Sequence, residues 1–309
     1  MSANPLHEPP VSDGGQLPST DLRSKRKSFN SVWRYLVNHA VTVLAVLSTV
    51  LVIAPLVAIL VYLLYMGASS LNLAFFTHIP APEGEAGGGM ANAIVGSGIV
   101  LALASLMGIP VGIGAGVYLA EFGRGKTLAA AVRFTADVLN GVPSIVVGIA
   151  VFGLLVQGRS YSAFAGGVAL AIMMVPTIAR TTEEMLATVP HSIREAALGL
   201  GVPKWRTVVS VSLKTASPGI ITGCMLAFAR VAGETAPLLF TAFGNQFWSY
   251  KLTEPIAALP LQIYVYAMSP SDEWHRLAWA GSLVLIVMIM VAVTLVRIYA
   301  ARGMMKGNS

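Results

Sequence analysis

The sequence predicts an all-α integral membrane protein of six spanning helices with both ends in the cytoplasm, and three observations carry that prediction. Of 309 residues, 55% are hydrophobic and only 11% charged, against about 25% charged in a soluble domain. The apolar residues fall in continuous runs, and about 20 such residues cross a hydrocarbon core of about 30 Å as a helix. Lipid admits only helices and closed barrels, and the runs lack the alternation of a barrel strand. Third, Lys and Arg gather in alternate loops, as they do on the cytoplasmic side of a membrane.

Residues 1–34 read as a disordered, basic cytoplasmic tail. The stretch to about residue 30 is rich in Pro, Ser, Gly and Asp, has no apolar period and ends in Arg23-Ser24-Lys25-Arg26-Lys27. A first span follows at 37–66, too long for the apolar core of a cleaved signal peptide. Five more are expected at 91–119, 132–156, 164–178, 218–240 and 277–296, the fourth continuing past Arg180 as helix. The membrane domain is 35–302, and 303–309 form a cytoplasmic C-terminal tail. With the N-terminus inside, sixteen Lys and Arg lie in cytoplasmic segments and three (Arg159, Lys251, Arg276) outside, leaving Arg230 in the membrane. The formal charge of +6 is accounted for by those loops and needs no nucleic acid.

On the second span Gly108, Gly112 and Gly116 recur every fourth residue. Such rows let helices approach closely in lipid, either within the bundle or against a partner subunit. Pro55, Pro110, Pro143, Pro176 and Pro237 lie inside predicted spans, where each frees a carbonyl one turn back. The single cysteine, Cys224, can make no internal disulfide or metal cluster and reads as a small packing residue.

Gly125-Lys126-Thr127 has the ending of a nucleotide-binding P-loop, but Ala120 stands where the first glycine is needed and no strand precedes it. Arg124 and Lys126 read as cytoplasmic anchors, and no cofactor is expected on this chain. Arg230 and Glu234 are the sharper candidates. With Pro218 at the first turn of the fifth span, Arg230 falls about 18 Å along the axis. An ionised residue near the bilayer centre costs about 2.5–3.5 kcal/mol on insertion scales. At i,i+4 the pair can neutralise itself as a structural ion pair. Alternatively it faces a solute path, where the fixed fork of a guanidinium suits an oxyanion. Arg180, followed by Glu183 and Glu184, either snorkels to the interface or forms a cytoplasmic gate.

The longest charged, Gly-punctuated loop of the second half is 190–214. Ser192 and Glu195 match a capping box, which predicts a short helix from Ile193; Gly199 and Gly201 end it, and Pro203 opens a second helix over 204–213. This hairpin, with Trp205 exposed, either lies on lipid headgroups or receives force from a partner protein.

Glu195-Ala196-Ala197, then Gly201, then Val211-Ser212-Leu213, resembles the EAA loop of ABC-importer permeases, with Lys214 where that pattern has proline. The flank Arg230-Val231-Ala232-Gly233-Glu234-Thr235-Ala236-Pro237, with Gly244-Asn245-Gln246-Phe247-Trp248 and Glu273-Trp274, is similar to the PstA family, one of two membrane subunits of phosphate-specific ABC transporters. The resemblance implies a six-helix MetI-like permease domain in the bacterial inner membrane, not an enzyme. It implies a homologous permease partner (PstC), an ATPase dimer (PstB) holding ATP and Mg, and an extracytoplasmic phosphate-binding protein. It places Arg180, Glu183 and Arg230 on the substrate path or gate, with Glu234 added on the charge argument above. Glu195, Ala196, Ala197 and Gly201 would couple to the ATPase. Permeases for sulfate, molybdate or phosphonate, an ion-coupled carrier using Arg230–Glu234 as a relay, and a non-transporting scaffold are the other readings of these residues.

Overall fold

The computed structural model describes residues 21–306 except Ala86 and Arg124, with side chains from Val32 to Ala300. Among these residues five helices are long and apolar enough to cross a membrane, or six spans if a bent pair counts as one. The chain divides at Val61 into two units.

Helix α1 (Asp21–Ser69) carries the first unit. It is 49 residues long with Pro55 inside, and from Val32 to Val61 every side chain is exposed. Its start overturns part of the expected disordered tail: no Gly or Pro lies between Asp21 and Pro55, and Lys, Arg and Leu are good helix formers, so nothing halts the helix. The rest of that tail, 1–20, lies outside the described residues, as do Arg124 and 307–309.

In the second unit, short α2 (Leu73–Thr77) precedes α3 (Ala91–Val117), which runs on through a π-helical turn at Tyr118–Phe122. The fourth span, α6, is Ala163–Ala187; Ser162 Oγ caps it by accepting from Ala165 N at 3.1 Å. The glycine row joins α3 to α6. A Cβ on Gly112 would stand 2.7 Å from Ile178 Cβ, and one on Gly116 2.5 Å from Thr182 Cβ. Only hydrogen fits there, so the row packs inside the bundle and not on a partner.

The third span is two helices, not one. α4 (Thr127–Gly141) and α5 (Ser144–Val151, continued by a π turn at Phe152–Val156) are bent by 107°. Pro143 forces Val142 out of the helical region, to ψ 130°.

The loop contains α7 (His191–Gly199) and α8 (Lys204–Thr207), and α8 passes through a π turn, Val208–Ser212, into α9 (Leu213–Ala232). Pro218 is therefore inside a helix and does not start it. Lys204–Ala232 is one 29-residue span; with lysine where the EAA pattern has proline, the second arm of the hairpin merges with the membrane helix. α9 stops at Ala232 and α10 (Ala236–Thr241) follows. Residues 256–262 are buried, and α11 (Leu259–Ala267) packs against α12 (Asp272–Lys306) through Tyr266 stacked on Trp274 at 4.5 Å.

Candidate functional site

Arg230 occupies the last turn of α9 and Glu234 lies beyond the helix end. The predicted i,i+4 pair on a continuous helix is not formed, and neither residue makes an ion pair with any described residue. The cause is local. Gly233 is a poor helix former, and a proline at 237 would clash with its carbonyl. Pro237 instead begins a new helix at its first turn. Each charge then suits its helix end: a cation near the C-terminus of α9, a carboxylate before the N-terminus of α10. The exposed Arg230 guanidinium presents five N–H donors and no acceptor.

Arg180, Glu183 and Glu184 share one face of α6. Arg180 Nε lies 3.0 Å from Glu184 Oε1, and Arg180 Nη1 lies 3.6 Å from Glu183 Oε2. The closest partner of Glu183 is one the sequence did not indicate: Arg133 Nε of α4 donates to Glu183 Oε1 at 2.7 Å, and its Nη2 donates to Leu119 O at 3.3 Å. Glu183 is thus held between two arginines. Thr177 Oγ1, donating to Asn140 Oδ1 at 3.2 Å, ties the same two helices.

The capping box in the loop is absent. Pro190, in extended conformation with ψ 139°, takes the cap position, so α7 begins at His191 and Ser192 is already inside it. The end of α7 follows the prediction: Gly201 N donates to Leu198 O at 2.9 Å and Val202 N to Ala197 O at 3.2 Å, with Gly201 at φ +78°. This is a Schellman closure, whose left-handed position favours glycine. Glu195, Ala196 and Gly201 are exposed and Ala197 half-buried, beside exposed Leu198, Leu200 and Trp205.

Arg194 points the other way and is buried. Its Nη2 lies 2.8 Å from Glu121 Oε1 at the end of α3. The approach is electrostatic and not an aligned hydrogen bond. Glu121, Arg133 and the inward role of Arg194 are the site residues that sequence reasoning missed, since each pairs with a residue far along the chain.

A family model described as "binding-protein-dependent transport system inner membrane component" matches residues 108–303, more than half the chain. The phosphate transport system permease protein PstA of Yersinia pestis is 46% identical over 285 residues, covering 92% of this chain and 96% of that protein. The chain belongs to the PstA family. PstA of Xylella fastidiosa strain 9a5c is 48% identical over 74% of this chain and 80% of its own length; that of Haemophilus influenzae is 42% identical over 84% and 92%. The PstA-family chain shares its fold with a chain of the inward-facing MetNI methionine ABC transporter, at TM-score 0.53 and 21% identity over 69% of this chain and 94% of that one. An amino acid ABC transporter chain gives 0.51 at 19% identity, over 69% and 92%. The expected MetI-like permease fold is the one observed.

Proposed function

We propose that this PstA-family chain forms, with a homologous permease of the PstC type, the inorganic phosphate path of an ATP-driven importer in the bacterial inner membrane. Its two ends and the 190–214 loop lie on the cytoplasmic side. There α7 docks a PstB-type ATPase dimer, which holds ATP and Mg; this chain binds no cofactor. A phosphate-binding protein delivers substrate from outside. The observation that carries this reading is the 46% identity to a PstA over 92% of the chain, with Arg230 presenting an unpartnered guanidinium among the described residues.

Arg230 supplies a transient contact to phosphate oxygens, a role its bidentate geometry suits. Arg180 and Glu183 form the gate, held shut by mutual attraction and by Arg133. Exposed Leu198, Leu200 and Trp205 around Glu195 and Ala196 offer the ATPase an apolar patch, in which Trp205 is the residue type that most often anchors interfaces. An ion-coupled carrier loses its main support, because its relay pair, Arg230–Glu234, is not formed.

The test is ATP-driven uptake of radiolabelled phosphate into proteoliposomes holding the assembled complex, with sulfate, molybdate or phosphonate in excess. Phosphate uptake that none of these suppresses supports the reading; suppression by one of them reassigns the cargo. Uptake that proceeds on an ion gradient without ATP overturns it.

A further inference from the structure

One guanidinium gathers four elements at the loop end of the bundle. Besides the Glu121 contact, Arg194 Nη2 donates to Leu186 O at 2.6 Å, Nη1 to Val189 O at 3.1 Å and Nε to Ser212 Oγ at 3.2 Å. Leu186 is in the last turn of α6 and Val189 lies just beyond its end, Ser212 ends the π turn ahead of α9, and Glu121 belongs to the π turn of α3. The two charged side chains retain only 10% and 9% exposure. Glu121 Oε1 has no hydrogen bond among the described residues, so its charge is held by Arg194.

A buried ion pair alone could serve only to fasten helix ends. The surroundings of the π turn say more. Two residues before Glu121, Leu119 O accepts from Arg133 Nη2, and Arg133 holds Glu183 at 2.7 Å. Lys204 Nζ of the hairpin sits 4.9 Å from the centre of the Phe122 ring. The five residues Tyr118–Phe122 are therefore gripped from one side by α7 and α8, and from the other by the arginine that holds the gate carboxylate. A π turn carries an extra residue and a weaker hydrogen-bond ladder than α-helix, and such bulges concentrate at functional positions. On α7 itself, Glu195 faces out and its neighbour Arg194 faces in.

We propose that Glu121 and Arg194 are positioning residues for coupling. Their pair makes the hairpin and the π turn one body, so displacement of α7 by a docked ATPase reaches Glu183 through Leu119 and Arg133. The proposal rests on the reading of α7 as the ATPase dock. Spatial continuity is not itself coupling, so the ratio of the two activities is what must be measured.

The assembled complex in proteoliposomes, wild type against E121Q and R194K, is assayed for retained ATPase subunit, ATP hydrolysis and phosphate uptake. Lysine keeps the charge of Arg194 but not its fork of donors. Expected are full retention and continued hydrolysis, with uptake per ATP reduced about tenfold. Unchanged uptake per ATP overturns the proposal, and so does loss of the ATPase, which would make the pair a support for the dock's fold. E195R, on the outward face of the same helix, separates the two ideas: unchanged ATPase retention there sinks the docking reading. A second measurement leaves the ion pair intact. F122C/K204C, joined by a short bifunctional thiol reagent, is expected to take up phosphate as the same variant does before cross-linking. Uptake abolished by the cross-link would show that hairpin and π turn must separate, overturning the proposal.

Discussion

Arg133 of α4 and Glu183 of α6 meet at 2.7 Å, fifty positions apart in the chain. The contact fastens the bent third span to the fourth and adds a second arginine to the candidate gate. Because the Arg133 side chain is 36% exposed, solvent screens the pair, and its coupling is expected at about 1 kcal/mol or less. R133Q and E183Q should each lower the melting temperature of the purified protein in detergent, and the double variant should lose less than both losses combined. Strictly additive losses would show that the pair contributes nothing to holding α4 on α6.

Gly201 is required by backbone conformation and not by space: φ is +78°, and a Cβ would meet nothing within 4 Å. Substitutions should therefore rank by tolerance of the left-handed region, asparagine being mild and valine severe, with a cost of about 1–2 kcal/mol for an ordinary side chain. Co-purification of the ATPase with G201N and G201V measures this. Equal retention by both variants would contradict a conformational role.

Gly112 is the opposite case, limited by space. A Cβ there would stand 2.7 Å from Ile178 Cβ, so G112L must push α3 from α6 at about 1–3 kcal/mol. Gly98, on the same helix with nothing within 4 Å of a Cβ, is the control. Thermal melts of G112L and G98L should separate clearly; matching melts would mean that the glycine row does not set the helix spacing.

Glu234 and Arg230 should act independently, since a helix end separates them and no ion pair joins them. A double-mutant cycle on phosphate uptake with R230K and E234Q is expected to be additive within about 0.5 kcal/mol. A larger coupling would restore the charge-relay idea.

What was legible in the sequence is what depends on near neighbours. The row Gly108, Gly112, Gly116 repeats at one helical turn, so its shared face could be read directly. Gly201 stands at the end of the short helix predicted from Ile193, where a left-handed residue is expected. Local chemistry also misled where two signals competed. Ser192 and Glu195 have capping-box spacing, but Pro190 takes the cap two residues earlier. Pro237 is expected inside a continuous fifth span, freeing the Gly233 carbonyl, whereas Gly233 already weakens the helix and the proline starts another. Glu121–Arg194 and Arg133–Glu183 lie 73 and 50 positions apart. Single-chain periodicity carries no information about such pairs, which exist only once α3, α4, α6 and the hairpin are packed.

The central claim is that phosphate passes Arg230 on a path driven by an ATPase bound to the hairpin. It is tested most directly by measuring ATP hydrolysis and phosphate uptake together in the assembled complex carrying R230A. The account predicts continued hydrolysis with uptake lost. Uptake at the wild-type rate would contradict it.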